Sequence, residues 1–84
     1  MTVSGPVFEL LTRERCHLCE DMRAVLDQVL PAAGCGYAVV DVDAVPALRE
    51  RFGDTVPVLL RDGRPVAKVR IDKKQLQRIV RRRR

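Results

Sequence analysis

The sequence predicts a single α/β domain in which a four-stranded mixed sheet is flanked by helices in the order βαβαββα. Three observations support this fold class. Apolar runs of strand length alternate with segments whose apolar residues recur at helical spacing. Asp62-Gly63, between two apolar runs, is a strong signal for a β-hairpin. With 84 residues, the chain has room for one such domain, spanning 1–84.

The first half of the chain predicts a strand, a helix and a second strand. Val7 to Thr12 is mostly apolar, which suits a central strand covered on both faces. Apolar residues then recur at helical spacing from Leu18 to about Leu30, and Pro31 ends this helix. The run from Tyr37 to Val42 forms the second strand. Because a helix separates the two strands, we expect them to be parallel and joined by a right-handed crossover.

The middle of the chain predicts a short second helix. Asp43 is suited to cap this helix, Pro46 to occupy its first turn and Gly53 to close it. Phe52 belongs to its one apolar face. The chain then passes through Thr55-Val56-Pro57 into the third strand.

The last third of the chain predicts an antiparallel hairpin and a closing helix. The fourth strand, Val66 to Val69, follows the Asp62-Gly63 turn and returns along the third strand. Asp72, with Gln75 three residues later, forms a capping box at the start of the final helix. The apolar positions of that helix are Leu76, Ile79 and Val80.

The composition is that of an ordinary globular domain outside a membrane. Hydrophobic residues make up 46% and charged residues 32% of the chain, and no apolar run reaches the length of a membrane span. Residues 1–6, a flexible start, lack the basic and apolar segments of a secretory signal. We therefore expect a monomer in the reducing environment of the cytoplasm.

The positive charge is expected to belong to a tail. The net charge is +5, and Arg81 to Arg84 supply four of the sixteen basic residues, so the balance without them is +1. The chain has only three aromatic residues, too few to interleave a basic stripe with stacking rings. This pattern disfavours nucleic acid as a partner and is typical of a solvated basic end.

Cys16-His17-Leu18-Cys19 is the motif that carries chemistry. Its position between the first strand and first helix places Cys16 at a helix N-terminus, where unpaired N–H groups and the helix dipole favour a thiolate. Cys19 follows one turn later on the same side. Two such cysteines can cycle between dithiol and disulfide, which indicates a redox site. His17 either stabilises the thiolate as a cation or is a solvated first-turn side chain.

The element order, the C-x-x-C motif and Thr55-Val56-Pro57 before the third strand resemble the glutaredoxin-like branch of the thioredoxin fold. The run from Leu11 to Met22 is most similar to a small bacterial glutaredoxin-like family. The resemblance implies a thiol–disulfide oxidoreductase that needs no metal or organic cofactor. Its partner would be a disulfide-containing protein or a glutathione mixed disulfide, with glutathione as a candidate reductant.

The resemblance also implies roles for individual residues. Cys16 would be the attacking thiolate and Cys19 the resolving thiol. A cis bond before Pro57 would leave the Val56 backbone free to pair with an extended substrate. Arg13 stands where many glutaredoxins carry a lysine that contacts glutathione.

The chain departs from the usual glutaredoxin pattern at two places. His17-Leu18 replaces Pro-Tyr between the cysteines, and Arg70-Ile71-Asp72 stands where a Gly-Gly pair followed by acids is usual. The alternative function is a redox-inactive thioredoxin-fold binding module that recognises an extended peptide or a partner protein. Zinc is the other use of a C-x-x-C motif, but a closed zinc site needs four ligands, and only Cys35 and His17 could complete it.

Overall fold

The computed structural model of the protein describes residues 7–82. Seven helices and strands occur in the predicted order βαβαββα. They are β1 (Phe8–Thr12), α1 (His17–Val29), β2 (Tyr37–Asp41), α2 (Pro46–Phe52), β3 (Val58–Arg61), β4 (Arg64–Lys68) and α3 (Lys73–Arg81). Short 3-10 turns, Pro31–Ala33 and Val42–Ala44, flank β2. The predicted α/β thioredoxin-like fold is confirmed.

The four strands form one mixed sheet in the order β2-β1-β3-β4. Strand β1 is parallel to β2 and antiparallel to β3, and β3 is antiparallel to β4. The central strand β1 is thus covered by strands on both sides, as its apolar sequence predicts. The hairpin turn has positive φ angles at both Asp62 and Gly63, which is the type I′ geometry that suits the twist of the flanking strands.

Alternation along the central strands creates two cores, one on each face of the sheet. Leu10 and Leu59 face α1 and α3, where they join Met22, Leu26 and Leu76 in the larger cluster. On the opposite face a smaller cluster packs beneath α2, and its buried members are Leu11, Val42, Phe52, Val58 and Leu60. The larger core holds α1 in place, and α1 positions the C-x-x-C motif.

Helix α3 is fixed at both ends. The predicted capping box is present: the Asp72 carboxylate accepts from the Gln75 N–H at 2.7 Å, and the Gln75 side chain accepts from the Asp72 N–H at 3.0 Å. At the other end the Arg61 guanidinium donates to the carbonyls of Ile79 and Arg82. A cation there also complements the negative end of the helix dipole.

The structure corrects the predicted start of α2. Asp43 does not cap this helix; Val45 occupies the N-cap position without a side-chain hydrogen bond. The Asp43 carboxylate instead pairs with Arg13, thirty residues earlier in the chain. Gly53 does follow the helix, but in right-handed helical geometry.

Two boundaries near the C-terminus also differ from the prediction. Strand β4 ends at Lys68, and Val69 has a φ of 68°, a left-handed conformation that is rare for a β-branched residue. Arg81 belongs to α3 and Arg82 is its C-cap, so the first half of the predicted basic tail is ordered by the helix. Residues 1–6 and 83–84 lie outside the described residues. No helix within 7–82 is long and apolar enough to cross a membrane.

Candidate active site

Three loops meet at one end of the sheet and form the site. Leu11 near the end of β1 pairs with Val58 at the start of β3, and Val58 also pairs with Lys68 at the end of β4. The loop after β1, the segment before β3 and the loop after β4 must therefore emerge side by side. These three segments carry Cys16, Val56-Pro57 and Val69, respectively.

Cys16 is the N-cap residue of α1. Its sulfur accepts a hydrogen bond from the Cys19 backbone N–H at 3.1 Å. This N–H belongs to the first turn of the helix, whose free donors and dipole stabilise negative charge. The same geometry would solvate a Cys16 thiolate once the cysteine is reduced.

Cys16 and Cys19 are joined by a disulfide bond. Their Cα atoms are 5.1 Å apart, within the range that disulfide geometry requires. The two cysteines differ in exposure, because Cys16 is half-buried whereas Cys19 is only 4% exposed. An incoming group can therefore reach Cys16, while Cys19 lies behind it against the core.

Arg15 turns the chain into the helix. Its φ of 56° is left-handed, a conformation that costs free energy for a residue with a Cβ. This turn separates the extended end of β1 from the N-cap of α1. Cys16 thus follows directly after a sharp change of chain direction.

His17 points along α1. Its Nε2 lies 3.6 Å from Asp21 Oδ2, one turn later, and its side chain is 85% exposed. The structure therefore gives the imidazole a carboxylate partner in solvent. Stabilisation of the Cys16 thiolate by His17 stays a prediction.

Arg13 joins the loop before Cys16 to the end of α2. Its Nε and Nη2 donate to the two Asp43 carboxylate oxygens at 3.1 and 3.0 Å, and its Nη1 donates to the Gly53 carbonyl at 3.2 Å. The hydrogen bonds to Asp43, and then the charge of that carboxylate, raise the pKa of the Arg13 guanidinium. Asp43 and Gly53 could not be recognised as partners of Arg13 from the sequence, because both are distant from it along the chain.

Thr55-Val56-Pro57 forms the second loop of the site. The Val56-Pro57 peptide bond is cis, and Pro57 is buried. Thr55 fixes the start of the loop, since both its N–H and its hydroxyl donate to the Phe52 carbonyl, at 2.9 and 3.1 Å. Within residues 7–82, neither the N–H nor the carbonyl of Val56 has a hydrogen-bond partner, which leaves both free to pair with another extended chain.

The third loop was missed by the sequence reasoning, which placed Val69 in a strand. The Val69 N–H donates to the Pro57 carbonyl at 2.7 Å, and the Arg70 N–H donates to the Lys68 carbonyl at 2.7 Å. The second bond and the positive φ of Val69 define a tight γ-turn. The γ-turn thereby connects the end of β4 directly to the cis-proline loop.

A groove of about 370 Å³ runs between this γ-turn and the first turns of α1. It is lined by His17, Leu18, Asp21, Met22, Val25, Val69, Arg70 and Ile71. A second hollow of about 230 Å³ lies on the other side of the disulfide, beside Arg13, Cys16 and Cys19. Both openings adjoin the motif, so a substrate can approach it along the surface of the domain.

No cluster of three or more metal-ligating side chains occurs within residues 7–82. The third cysteine, Cys35, is unpaired and half-buried in the turn after α1, where its sulfur lies 3.7 Å from the Ala33 carbonyl. It packs against the edge of the larger core. Cys35 is thus separated from the disulfide by the length of α1.

Comparison with known proteins gives this arrangement a context. Residues 7–81 match the sequence model of the Glutaredoxin-like domain (DUF836). An uncharacterized protein of Mycobacterium tuberculosis is 35% identical, and the match covers 89% of this chain and 82% of that protein. The same match is found with an uncharacterized protein of Mycobacterium bovis.

Solved structures share the fold. A structural-genomics target protein from X. campestris is 31% identical, with a TM-score of 0.70 over 83% of this chain and 89% of the other. A mutant thioredoxin from Halobacterium salinarum is 26% identical, with a TM-score of 0.65 over 90% of this chain and 72% of the other. A protein of Nitrosomonas europaea, at 24% identity, has a TM-score of 0.80 over 95% and 96% of the two chains.

Proposed function

Because this chain belongs to the glutaredoxin-like domain family, we propose that it is a thiol–disulfide oxidoreductase acting through Cys16 and Cys19. One observation carries the proposal. The two cysteines form a disulfide at the N-terminus of α1, in which Cys16 is partly exposed and Cys19 is buried. This is the asymmetry that a nucleophilic and a resolving cysteine require.

The reaction begins with the reduced protein. The Cys16 thiolate attacks one sulfur of a substrate disulfide, forming a mixed disulfide and releasing the first substrate thiolate. The Cys19 thiolate then attacks the Cys16 sulfur and releases the second substrate thiolate. The substrate gains two electrons and the protein is left with the Cys16–Cys19 disulfide. In the reduced protein the Cys19 N–H would stabilise the Cys16 thiolate as the nucleophile of the first step.

Binding of the substrate would use the cis-proline loop. The free N–H and carbonyl of Val56 can pair with an extended peptide in the manner of an added strand. Thr55 fixes the start of this loop, and Pro57 anchors its end through the bond from Val69. A peptide held there would run past Cys16 at the same end of the sheet. A disulfide-containing protein or a glutathione mixed disulfide is the proposed substrate.

A thiol must restore the dithiol after each cycle. Glutathione, which is itself oxidised in the exchange, is the proposed reductant, and a reducing compartment such as the cytoplasm would supply it. Arg13 is already bonded to Asp43 and Gly53. An Arg13 contact with glutathione would therefore need part of this network to open.

An equilibrium redox titration in glutathione buffers tests the proposal. The protein is alkylated at each potential and its intact mass counts the free thiols, with Cys35→Ser as the matched control. We expect a two-electron Cys16–Cys19 couple with a midpoint of about −200 to −270 mV, the range of glutaredoxins and thioredoxin. Absence of a Cys16–Cys19 disulfide at every potential would favour the binding module instead.

Cysteine-to-serine variants, assayed for reduction of a disulfide peptide, complete the test. Cys16→Ser should abolish reduction of a disulfide peptide, whereas Cys19→Ser should trap the mixed disulfide, visible as an added peptide mass. Cys35→Ser should retain wild-type turnover because Cys35 is remote from the site. Wild-type activity in Cys16→Ser would contradict the assigned role of that cysteine.

A further inference from the structure

Charge is divided unevenly along the chain. Residues 61–84 contain eleven of the sixteen basic residues and two of the eleven acidic ones, so they carry +9, whereas residues 1–60 carry −4. Arg81 to Arg84 account for less than half of that excess. The basicity therefore belongs to the β4 and α3 region as well as to the tail.

Of the nine basic residues described between 61 and 82, three lie in a row on the solvent face of α3. Leu76 and Ile79 face the core, which leaves the opposite side of the helix in water. Lys74, Arg78 and Arg81 follow each other on that side at spacings of four and three residues, over about 10 Å. All three are exposed, and none forms an ion pair within residues 7–82.

This row of cations begins at the candidate active site. Arg70, which is also exposed and unpaired within residues 7–82, lines the groove beside the first turn of α1. We call Arg70, Lys74, Arg78 and Arg81 the basic track. It leads from the groove along α3 toward the far end of the domain.

The surface around the cysteines is mixed in charge. Three acids and three arginines are exposed in the loop and first turns next to the motif, namely Glu14, Glu20, Asp21, Arg13, Arg15 and Arg23. Asp21 lines the same groove as Arg70. Positive charge prevails along the basic track, so a partner that fits the track must be acidic there.

An acidic protein segment suits this surface better than a nucleic acid. The proposed reaction needs a disulfide, which a polypeptide can carry and a nucleic acid does not. Among the described residues, aromatic rings on which bases could stack are also absent from the basic track, because Phe8 and Phe52 are buried and Tyr37 lies on β2, at the opposite edge of the sheet from β4. The partner that we infer is therefore an acidic polypeptide.

We propose that the substrate of this oxidoreductase is a disulfide protein with an acidic segment that lies along the basic track. This inference rests on the proposed function and adds a substrate class to it. Complementary charge would speed encounter more than it strengthens the final complex. The effect should therefore appear in the second-order rate constant and should weaken as salt screens the charges.

Two synthetic peptides test the inference. Both contain the same intramolecular disulfide, and one continues into a run of glutamates where the other has glutamines. We expect the reduced protein to react about tenfold faster with the acidic peptide at low ionic strength, and the difference to vanish in high salt. Equal rates for the two peptides at low salt would overturn the inference.

Charge-reversal variants test whether the preference for the acidic peptide depends on the basic track. Arg78→Glu should reduce the preference for the acidic peptide, and Arg49→Glu is its matched control because both arginines are exposed and lie in the last turn of a helix. The readout is the rate with the acidic peptide divided by the rate with the glutamine peptide. A loss of folded protein lowers both rates equally and leaves this ratio unchanged. If Arg78→Glu does not fold, Lys74→Gln supplies the same comparison. An unchanged ratio in the track variant contradicts the proposal.

The outcomes separate this inference from the proposed function. If the protein reduces neither peptide, the proposed oxidoreductase function is contradicted. If it reduces both peptides at the same rate, that function is retained and the proposed acidic substrate is contradicted. A mixed-sequence DNA duplex that binds more tightly than the oxidised acidic peptide, in the same buffer, would assign the track to nucleic acid and overturn the proposal.

Discussion

The Arg13 guanidinium donates two hydrogen bonds to the Asp43 carboxylate, at 3.1 and 3.0 Å. This pair ties the loop that delivers Cys16 to the segment before α2, across thirty residues of sequence. A third bond from Arg13 reaches Gly53, just ahead of the cis-proline loop. The two loops that frame the disulfide are thus held by one side chain.

Removal of the carboxylate should loosen this connection. In Asp43→Asn we expect faster amide hydrogen exchange in residues 13–15 and at most a small loss of thermal stability, because the ion pair is exposed. Exchange measured by mass spectrometry on wild type and variant checks this. Glu50→Gln, a neutralised exposed acid on α2, is the control, and equal protection of the loop in all three proteins would contradict the prediction.

The three cysteines should react at different rates after reduction. Cys16 is half-buried at a helix N-terminus, whereas Cys19 is 4% exposed, so alkylation at mildly acidic pH should modify Cys16 first and Cys19 last. Peptide mapping over time measures the order. Cys35, half-buried and away from the helix start, is the internal comparison. Faster modification of Cys19 than of Cys16 would reverse the assigned roles.

Tyr37 provides a pH-dependent signal from the far side of the domain. Partial burial, and then a 2.6 Å hydrogen bond to Asp27, raise the pKa of Tyr37. A raised folded-state pKa stabilises the protein below the ordinary tyrosine value of about 10, and this contribution disappears as pH rises through the folded-state pKa. Because the chain has one tyrosine and no tryptophan, near-ultraviolet absorbance follows its ionisation directly.

Substitution of Asp27 should separate the effect of its carboxylate on the pKa of Tyr37 from the effect of burial. In Asp27→Asn the pKa of Tyr37 should fall, since the carboxylate that disfavours the phenolate is gone. In the variant, burial would still raise the pKa of Tyr37, while Arg23, which lowers it, would act without the opposing carboxylate. A titration identical to wild type would contradict the contribution of Asp27.

The contribution of the α3 capping box to the free energy of unfolding should be measurable by denaturation. Asp72→Ala removes the acceptor for the Gln75 N–H and should lower the free energy of unfolding by about 1 kcal/mol. Asp72→Asn keeps a capping side chain and should lose much less. Urea unfolding of the three proteins tests this, and equal midpoints for Asp72→Ala and wild type would contradict it.

Gly53 and Gly36 should respond differently to substitution by alanine. A Cβ added at Gly53 would lie 2.5 Å from the Arg49 carbonyl oxygen, whereas one at Gly36 meets nothing within 4 Å. Gly53→Ala should therefore cost more than about 1 kcal/mol, and Gly36→Ala less than about 0.5 kcal/mol. Thermal unfolding compares the two. Similar melting temperatures would show that the chain relaxes around the new methyl group.

Local patterns predicted most of the fold because they report on neighbours in sequence. The period of α1, the Asp62-Gly63 turn and the Asp72 capping box each depend on a few adjacent residues, and each was correctly assigned. The resemblance also predicted the cis bond before Pro57 correctly. Cys16 and Cys19 could be paired because one helical turn separates them.

Long-range contacts could not be predicted in this way. Asp43 has the side chain of a helix cap, and only the folded chain brings Arg13 beside it. Val69 has a strong preference for strands, yet its bond to Pro57 helps to hold it in a left-handed turn. The basic track could not be predicted from composition, because its cations are spaced along the chain and only α3 brings them into line.

The strand order has a consequence for self-association. Of the two outer strands, β4 carries Arg64, Pro65 and Lys68, which discourage another strand from adding to it. Strand β2 has no charge before Asp41, and its Val39 is 44% exposed. A strand of a second chain can therefore pair with β2 more easily than with β4. We expect aggregation to begin at β2 when the protein is crowded or partly unfolded.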